Sequence, residues 1–363
     1  MEGTEGKSRD APLAAHSPTG NPPLMATLSD VARLAGVTTA TVSNVLRNTR
    51  KVKPSTVEKV EAAIAATGYR PNLMARALAE GKSSMVALVV PDITNPFYPE
   101  FVAVAERVAR QRQHFLMVCN TPDQPDVGRA YLQQITGTLA GGVLVLDTAI
   151  TPDDVANISN RRAPVVLGMH EYIPRSDAVP HVVLNLQLAG EIAGQHLVAL
   201  GHRHIGVIVG RGLSGRQTVR VGGFQAALKA ASISLPDDHV RDTADTIEGG
   251  RAAAAWLLDT HPHITAIFAT NDLMAYGAGQ LLLERGIPVP QTMSLISITD
   301  IQLARDMRPG LTTVALHTET MATLAINLLL DLIEDPEHQP RIVHVPDPVL
   351  VQRESTAPPR TTP

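Results

Sequence analysis

Aromatic residues are scarce: Phe, Trp and Tyr make up 3% of the 363 residues, so any core must be assembled from Ala, Val, Leu and Ile. There is one cysteine, Cys119, which excludes an intrachain disulfide and fits a reducing compartment. It lies in the apolar run Phe115–Cys119, where a thiol packs as a small hydrophobe rather than acting as a nucleophile. No run approaches the ~18 uninterrupted apolar residues of a membrane span. The opening MEGTEGKSRDAPLAAHSPTGNPPL has no apolar stretch that could serve a secretory signal. These absences lead to an expectation of a cytoplasmic protein. The small, polar, proline-rich opening predicts a disordered tail over 1–25.

Core-forming material is nonetheless ample, with 44% hydrophobic and 18% charged residues. The length suits a small domain joined to a larger, two-lobed one. The net charge of −4 hides an asymmetry. Between Ala26 and Ser84 nine basic residues face four acids, a surplus of +5 that leaves −9 on the remainder. A basic segment on an acidic body points to a polyanionic partner for the first part alone.

That first part reads as short helices. Leu28 to Ala35 offers Leu28, Val31, Ala32, Leu34 and Ala35 as an apolar face, and Gly36 ends it. Thr38 can cap a second helix carrying Val42, Val45 and Leu46. Pro54 or Ser55 opens a third, with Val57, Val60, Ile64 and Ala65 inward, and Gly68 closes it. From Met85 the texture changes to strand-like runs, among them Met85–Val90, Ile205–Val209 and Ser294–Ile298, separated by helix-length segments. This alternation is the signature of doubly wound parallel sheets and is long enough for two lobes. The expected fold is an all-α helix-turn-helix head (26–70), a hinge helix and linker (71–84), an α/β two-lobed body (85–356) and a disordered tail (357–363).

The turn Ala35-Gly36-Val37 between two short helices decides the reading of the head. Packing the first helix on the second leaves the second's polar side outward, presenting Thr39, Ala40, Ser43, Asn44 and Arg47, a set able to enter a major groove. Thr27, Lys51 and Thr56 flank it as phosphate-reaching groups. A small bundle that merely packs or dimerises is disfavoured, because this hydrogen-bonding face has no compensating acid.

The segment TLSDVARLAGVTTATVSNVL closely resembles the lactose-repressor/galactose-repressor family of transcriptional regulators. The resemblance continues through PNLMARAL, NPFYPEF, LVALGHRHIGVI, RVGGF, AIFATNDLMAYGA, LTTV and REST, in order over about 330 residues. It implies two periplasmic-binding-protein-like lobes clamping a small molecule, homodimerisation, and DNA-binding heads on an inverted-repeat operator. By position it assigns Thr27, Thr39, Ala40, Thr41, Ser43, Asn44, Lys51, Thr56 and Leu78 to DNA, with Leu78 wedging the minor groove. For the effector it implies Phe97, Tyr98, His170, Arg220, Asn271 and Thr299. Relatives often carry aspartates where this chain has Met169, Leu184 and Thr299, so the cleft is expected to be positive and its effector anionic or less hydroxylated.

Other signals are set aside. Gly210-Arg211-Gly212-Leu213-Ser214-Gly215 follows a strand but lacks the acid-tipped second strand of a dinucleotide site, so no cofactor is expected. His202 and His204 lack a nearby third metal ligand and read as a polar turn. Asp272 reads as a helix cap. No catalytic constellation emerges, which disfavours an enzyme. A solute-binding receptor is the alternative function, opposed by the attached head. The run Met321–Ile333 is expected to be partly core and partly subunit interface.

Overall fold

The computed structural model describes residues 26–46, 52–70, 83–121, 124–136, 139–146, 150–158, 163–170, 179–210, 216–339 and 341–360. The expected tail 1–25, Lys51 and residues 71–82 of the hinge and linker, Leu78 among them, lie outside them. The chain divides into two units, Met1–Arg76 and Ala77–Pro363.

The first unit contains α1 (Leu28–Ala35), α2 (Thr39–Leu46) and α3 (Pro54–Thr67) around Val31, Ala32, Val42, Val60 and Ala63. Thr27 caps α1: its hydroxyl accepts from Asp30 N while Asp30 accepts from Thr27 N, a reciprocal capping box. Gly36 turns the chain toward α2 at φ 66, a left-handed conformation that costs glycine little. Two inward assignments are corrected. Leu34 is 58% exposed, and Ala65 is exposed while Ala63 takes the inner position. At 100° per residue Ala63 lies near Val60 on the helix surface, whereas Ala65 lies well round from it.

In the second unit a first lobe runs β1 (Met85–Val90), α4 (Phe97–Gln111), β2 (Phe115–Asn120), α5 (Pro125–Ile135), β3 (Gly142–Val145), α6 (Pro152–Ala156), β4 (Val165–His170) and β5 (His181–Val183). The chain then crosses into a second lobe. There it forms α7 (Leu186–Ala199), β6 (Ile205–Gly210), α8 (Arg216–Ala230), β7 (Val240–Thr243), α9 (Ile247–Thr260) and β8 (Ala266–Ala269). The second lobe continues with α10 (Asp272–Glu284), β9 (Ser294–Thr299), α11 (Gln302–Asp306) and β10 (Thr312–Ala315). It returns through α12 (Thr318–Glu334), adds β11 (Ile342–His344) to the first sheet, and crosses again to place β12 (Val349–Val351) in the second. The sheet orders are β11-β5-β4-β3-β1-β2 and β12-β10-β9-β8-β6-β7, parallel except for β10 with β12. Central strands such as Val86–Val90 and Ile205–Gly210 are wholly buried, as helices on both faces require.

Four strands escaped the sequence reading. β7 reads VRDT, with two exposed charges on an edge; β10 is four residues long, and β11 and β12 only three. The core part of the expectation for Met321–Ile333 is met, while Leu324 and Ile333 stay half-buried. Met321, Ala322, Ala325, Ile326, Leu328, Leu329, Leu330 and Leu332 are all buried within their own chain, where α12 covers the first sheet.

The C-terminal end is corrected too. Ala357, placed at the start of a disordered tail, accepts hydrogen bonds at its carbonyl from His202 Nε2 (2.9 Å) and Ser294 Oγ (3.0 Å). Ser355 exchanges bonds with Leu295. His202, 1% exposed, is therefore a buried anchor for this segment rather than part of a polar turn. Burial pushes its pKa down, which keeps the ring neutral.

Helices α7 and α8 meet backbone to backbone. A Cβ on Gly223 would stand 1.9 Å from the Gln187 carbonyl oxygen, whereas one on neighbouring Gly222 would meet nothing within 4 Å among the described residues. Gly223→Ala is expected to cost about 1–3 kcal/mol by forcing the helices apart. Gly222→Ala should gain about 0.5–1 kcal/mol of helix propensity. Urea unfolding of the two variants checks this; equal midpoints would contradict the close crossing.

Candidate functional site

The outward face of α2 is built by its own packing. Val42 is fully buried against α1 and α3, which turns Thr39, Ala40 and Asn44 to solvent and leaves Ser43 half-buried at the margin. Thr41, assigned to DNA, is only half exposed. Its backbone N–H donates to Thr38 Oγ1, and the two hydroxyls lie 3.0 Å apart, so it serves the start of α2. Thr56 sits in the first turn of α3. That helix end has no acidic residue and no side-chain cap, and exposed Lys53 precedes it. A helix N-terminus left open in this way attracts an anion. Thr27, by contrast, already donates its hydroxyl to Asp30 at 2.7 Å. The side of Arg47 and Lys51 lies outside the described residues.

The second site is a pocket between the two lobes, at the C-terminal ends of their strands, where doubly wound sheets bind ligands. Its lining combines Asn95, Phe97, Tyr98 and Met169 from the first lobe with Arg220, Asp245, Asn271, Asp272, Leu273, Thr299 and Ile301 from the second. Five of the six expected effector residues are thus brought together. The side chain of the sixth, His170, lies outside the described residues. Leu184 is not in this pocket; it belongs to the core and to a separate groove beside Val183 and Asp347.

Several lining groups are held from behind. Asn120 Oδ1 and Asp92 Oδ1 fix the loop after β1 by accepting from Ile93 N and Thr94 N, both at 2.9 Å. Asn95 Oδ1 accepts from Phe97 N at 3.1 Å and so starts α4 beneath the phenyl ring. Asn271 caps α10 by accepting from Met274 N at 3.0 Å, and its amide donates to Asp245 Oδ1 at 2.9 Å. Arg220, 5% exposed, donates to the Thr270 carbonyl. Met169, Thr299 and Asp300 all have positive φ, at 58°, 141° and 64°, which places strained backbone at the pocket rim. Across the cleft, Gln302 N donates to Glu100 Oε1 at 2.8 Å, and burial pushes that carboxyl's pKa up.

Asp272 is not the cap that the sequence suggested. The cap needs an extended backbone, found at Asn271 (φ −149, ψ 163), so Asp272 is the first helical residue and points inward. There it accepts from Ser297 Oγ, Thr313 Oγ1 (2.7 Å) and Ile301 N (2.8 Å), tying α10 to β9 and β10. Burial raises its pKa, and those three bonds oppose the rise.

The missing acids are corrected in turn. Sequence reasoning found no carboxylate at Met169, Leu184 or Thr299 and inferred a positive cleft. Asp245, just past the unrecognised strand β7, supplies one beside Arg220. The signal was the DTADT run after Ser232, legible as a strand end only once β7 is known.

Both parts of the chain resemble known proteins. Residues 27–72 match the model of bacterial regulatory proteins of the lacI family, and residues 195–356 match a periplasmic binding protein-like domain. The chain is 34% identical over 331 residues to the ribose operon repressor of Escherichia coli (strain K12), covering 91% of this chain and all of that protein. It is 27% identical to the structure of a LacI family transcriptional regulator from Enterococcus faecium with bound ribose, covering 76% of this chain and 100% of that one at a TM-score of 0.68. The lac repressor dimer bound to operator and the anti-inducer ONPF shares the fold at a TM-score of 0.81 and 23% identity, over 92% of this chain and 100% of that one.

Proposed function

The chain belongs to the lacI family of bacterial regulatory proteins, and from that premise we propose that it is a cytosolic homodimeric repressor that reads its operator through α2 and is controlled by a neutral hydroxylated effector. Sequence-specific DNA binding under small-molecule control is the family's function; the contacts and the effector class are our reading. It acts by binding rather than by turnover.

The observation that carries the reading is the exposed face Thr39–Ala40–Asn44 on a helix anchored by buried Val42. Asn44 can pair with adenine through two hydrogen bonds, and Ala40 leaves room for a thymine methyl. The open end of α3 and the basic surplus supply phosphate contacts, with Lys51 and Thr56 among them and Leu78 as the minor-groove wedge. Phe115 (56% exposed) and Val118 (39%) on edge strand β2 support a subunit contact, since an apolar sheet edge is a liability in a monomer.

Gel shifts with inverted-repeat operators from the protein's own upstream region test this. Two chains should bind per operator. Asn44→Ala should lose about 1–3 kcal/mol at one symmetric pair of base positions and little at others. Lys51→Ala should weaken all sequences alike and flatten the salt dependence. An equal loss on every operator variant for Asn44→Ala would refute the base-reading role.

The pocket lining holds one cation, Arg220, and two carboxyl groups, Asp245 and the Asp272 that is engaged by Ser297, Thr313 and Ile301, and adds Asn95, Asn271 and the Phe97 ring. A carboxylate beside a guanidinium accepts from and donates to the hydroxyls of a neutral ring, while an apolar face stacks on the phenyl. Ribose, named for both the repressor and the bound regulator structure described above, has this chemistry. It is the first candidate, in place of an anion.

A further inference from the structure

At the end of the second lobe's sheet opposite the pocket, imidazoles gather from three adjacent strands. His204 immediately precedes β6, His239 immediately precedes β7, and His261 and His263 stand in the turn leading into β8. The strand order β7-β6-β8 makes these strands neighbours. Ring centroids lie 4.4 Å apart for His239 and His261, 5.3 Å for His239 and His263, and 5.1 Å for His204 and His263. One ligand atom each from His239, His261 and His263 lie within 4.8 Å of one another. We propose that His239, His261 and His263 form a binding site for a divalent transition-metal ion of the zinc type, separate from the effector pocket.

The donor set fixes the class. Imidazole nitrogens suit zinc, copper and nickel, whereas magnesium and calcium require oxygen ligands. His239 Nδ1 lies 3.1 Å from the Ile205 carbonyl oxygen, which only accepts, so Nδ1 carries the hydrogen and Nε2 keeps its lone pair. A backbone carbonyl holding the second nitrogen in this way is the usual outer support of a metal-ligating histidine. His261 is 7% exposed, and its Nε2 is buried with no hydrogen-bond partner among the described residues. A buried polar atom in that state is rare, and a metal ion would satisfy it.

His263 is exposed and gives the ion access from solvent. Zn–N bonds of about 2.0–2.1 Å require the three nitrogens to draw inward. His263, at the surface of a short turn, can make most of that movement. His204 or a water would complete four-coordination. The bound ion would tie the start of β7 to the turn before β8 across β6, and so stabilise the lobe by linkage.

Trp256 is the sole tryptophan of the chain, and its ring lies 5.6 Å from that of His261, so intrinsic fluorescence reports on the site. Full-length protein without an affinity tag, stripped with a chelator, is titrated with zinc. The expected result is a saturable fluorescence change at one zinc per chain and a rise in Tm with zinc. His263→Gln should weaken zinc binding at least about tenfold, the loss that even an outer-shell partner commonly produces, without lowering the Tm measured in chelator. His114→Gln, on the first lobe, should leave binding unchanged. The absence of a saturable response in the unmodified protein, or equal affinity in His263→Gln, would overturn the proposal.

Discussion

Replacing Asp245 by asparagine is expected to weaken effector binding by about 10- to 100-fold, and Arg220→Ala to abolish the effector response while operator binding persists. Asparagine keeps the shape of the side chain and can still accept from the Asn271 amide, so the wall of the pocket stays in place. What it loses is charge-assisted acceptance of ligand hydroxyls, worth about 1.5–3 kcal/mol per bond. At about 1.4 kcal/mol per decade, one such bond accounts for the expected change. Arg220 is the only cationic group of the pocket lining among the described residues, and its guanidinium also holds the Thr270 carbonyl behind Asn271. Removing it takes away the donors that we assign to a sugar oxygen, together with the bond to the Thr270 carbonyl next to Asn271. The sign of the Asp245→Asn effect separates two effector classes. A neutral sugar binds more weakly once the carboxylate is gone, whereas an anion binds more tightly once a like charge is removed from beside it. Calorimetric titration with ribose and with ribose 5-phosphate reads both. Tighter binding of the phosphate by Asp245→Asn, with no binding of ribose by the unmodified protein, would return the pocket to the anionic class.

Asp272→Ala should destabilise the second unit by about 3 kcal/mol or more. Three donors converge on the 1%-exposed carboxylate: Ser297 Oγ, Thr313 Oγ1 and Ile301 N. Alanine leaves all three buried without an acceptor, at about 1–3 kcal/mol each before water enters the gap. Asp272→Asn keeps one acceptor oxygen and should lose less. The comparison also has a pH dependence whose sign follows from the raised pKa. The folded protein holds the Asp272 proton to higher pH than the unfolded chain, whose value is near 3.8. Asp272 therefore contributes most below that value and progressively less as pH rises through the folded pKa. The stability gap between the unmodified protein and Asp272→Asn should accordingly narrow as pH rises from that point. Urea unfolding across the acid range measures it, and a gap that widens with pH would contradict the burial argument.

The sequence by itself determined the features that depend on local chemistry. The capping residues Thr27 and Thr38, the left-handed turn at Gly36 and the buried Val42 together dictate a helix-turn-helix with Thr39, Ala40 and Asn44 outward. Runs such as Val86–Val90 and Ile205–Gly210 announce buried parallel strands, because only sheets covered on both faces tolerate continuous apolar stretches. Other features depend on residues distant in the chain, and only the tertiary structure decided them. Edge strand β7 has charged residues that no periodicity separates from a loop, and its position alone carries Asp245 to Arg220 and Asn271. Asp272 looked like a cap because caps are local; its actual partners lie 25, 29 and 41 residues away on other elements. Ala357 is held by His202, 155 residues earlier, so nothing near it in sequence marks it as ordered. His239, His261 and His263 share no spacing typical of a metal site, and they meet only because parallel strands bring the starts of β7 and β8 to the same end of one sheet.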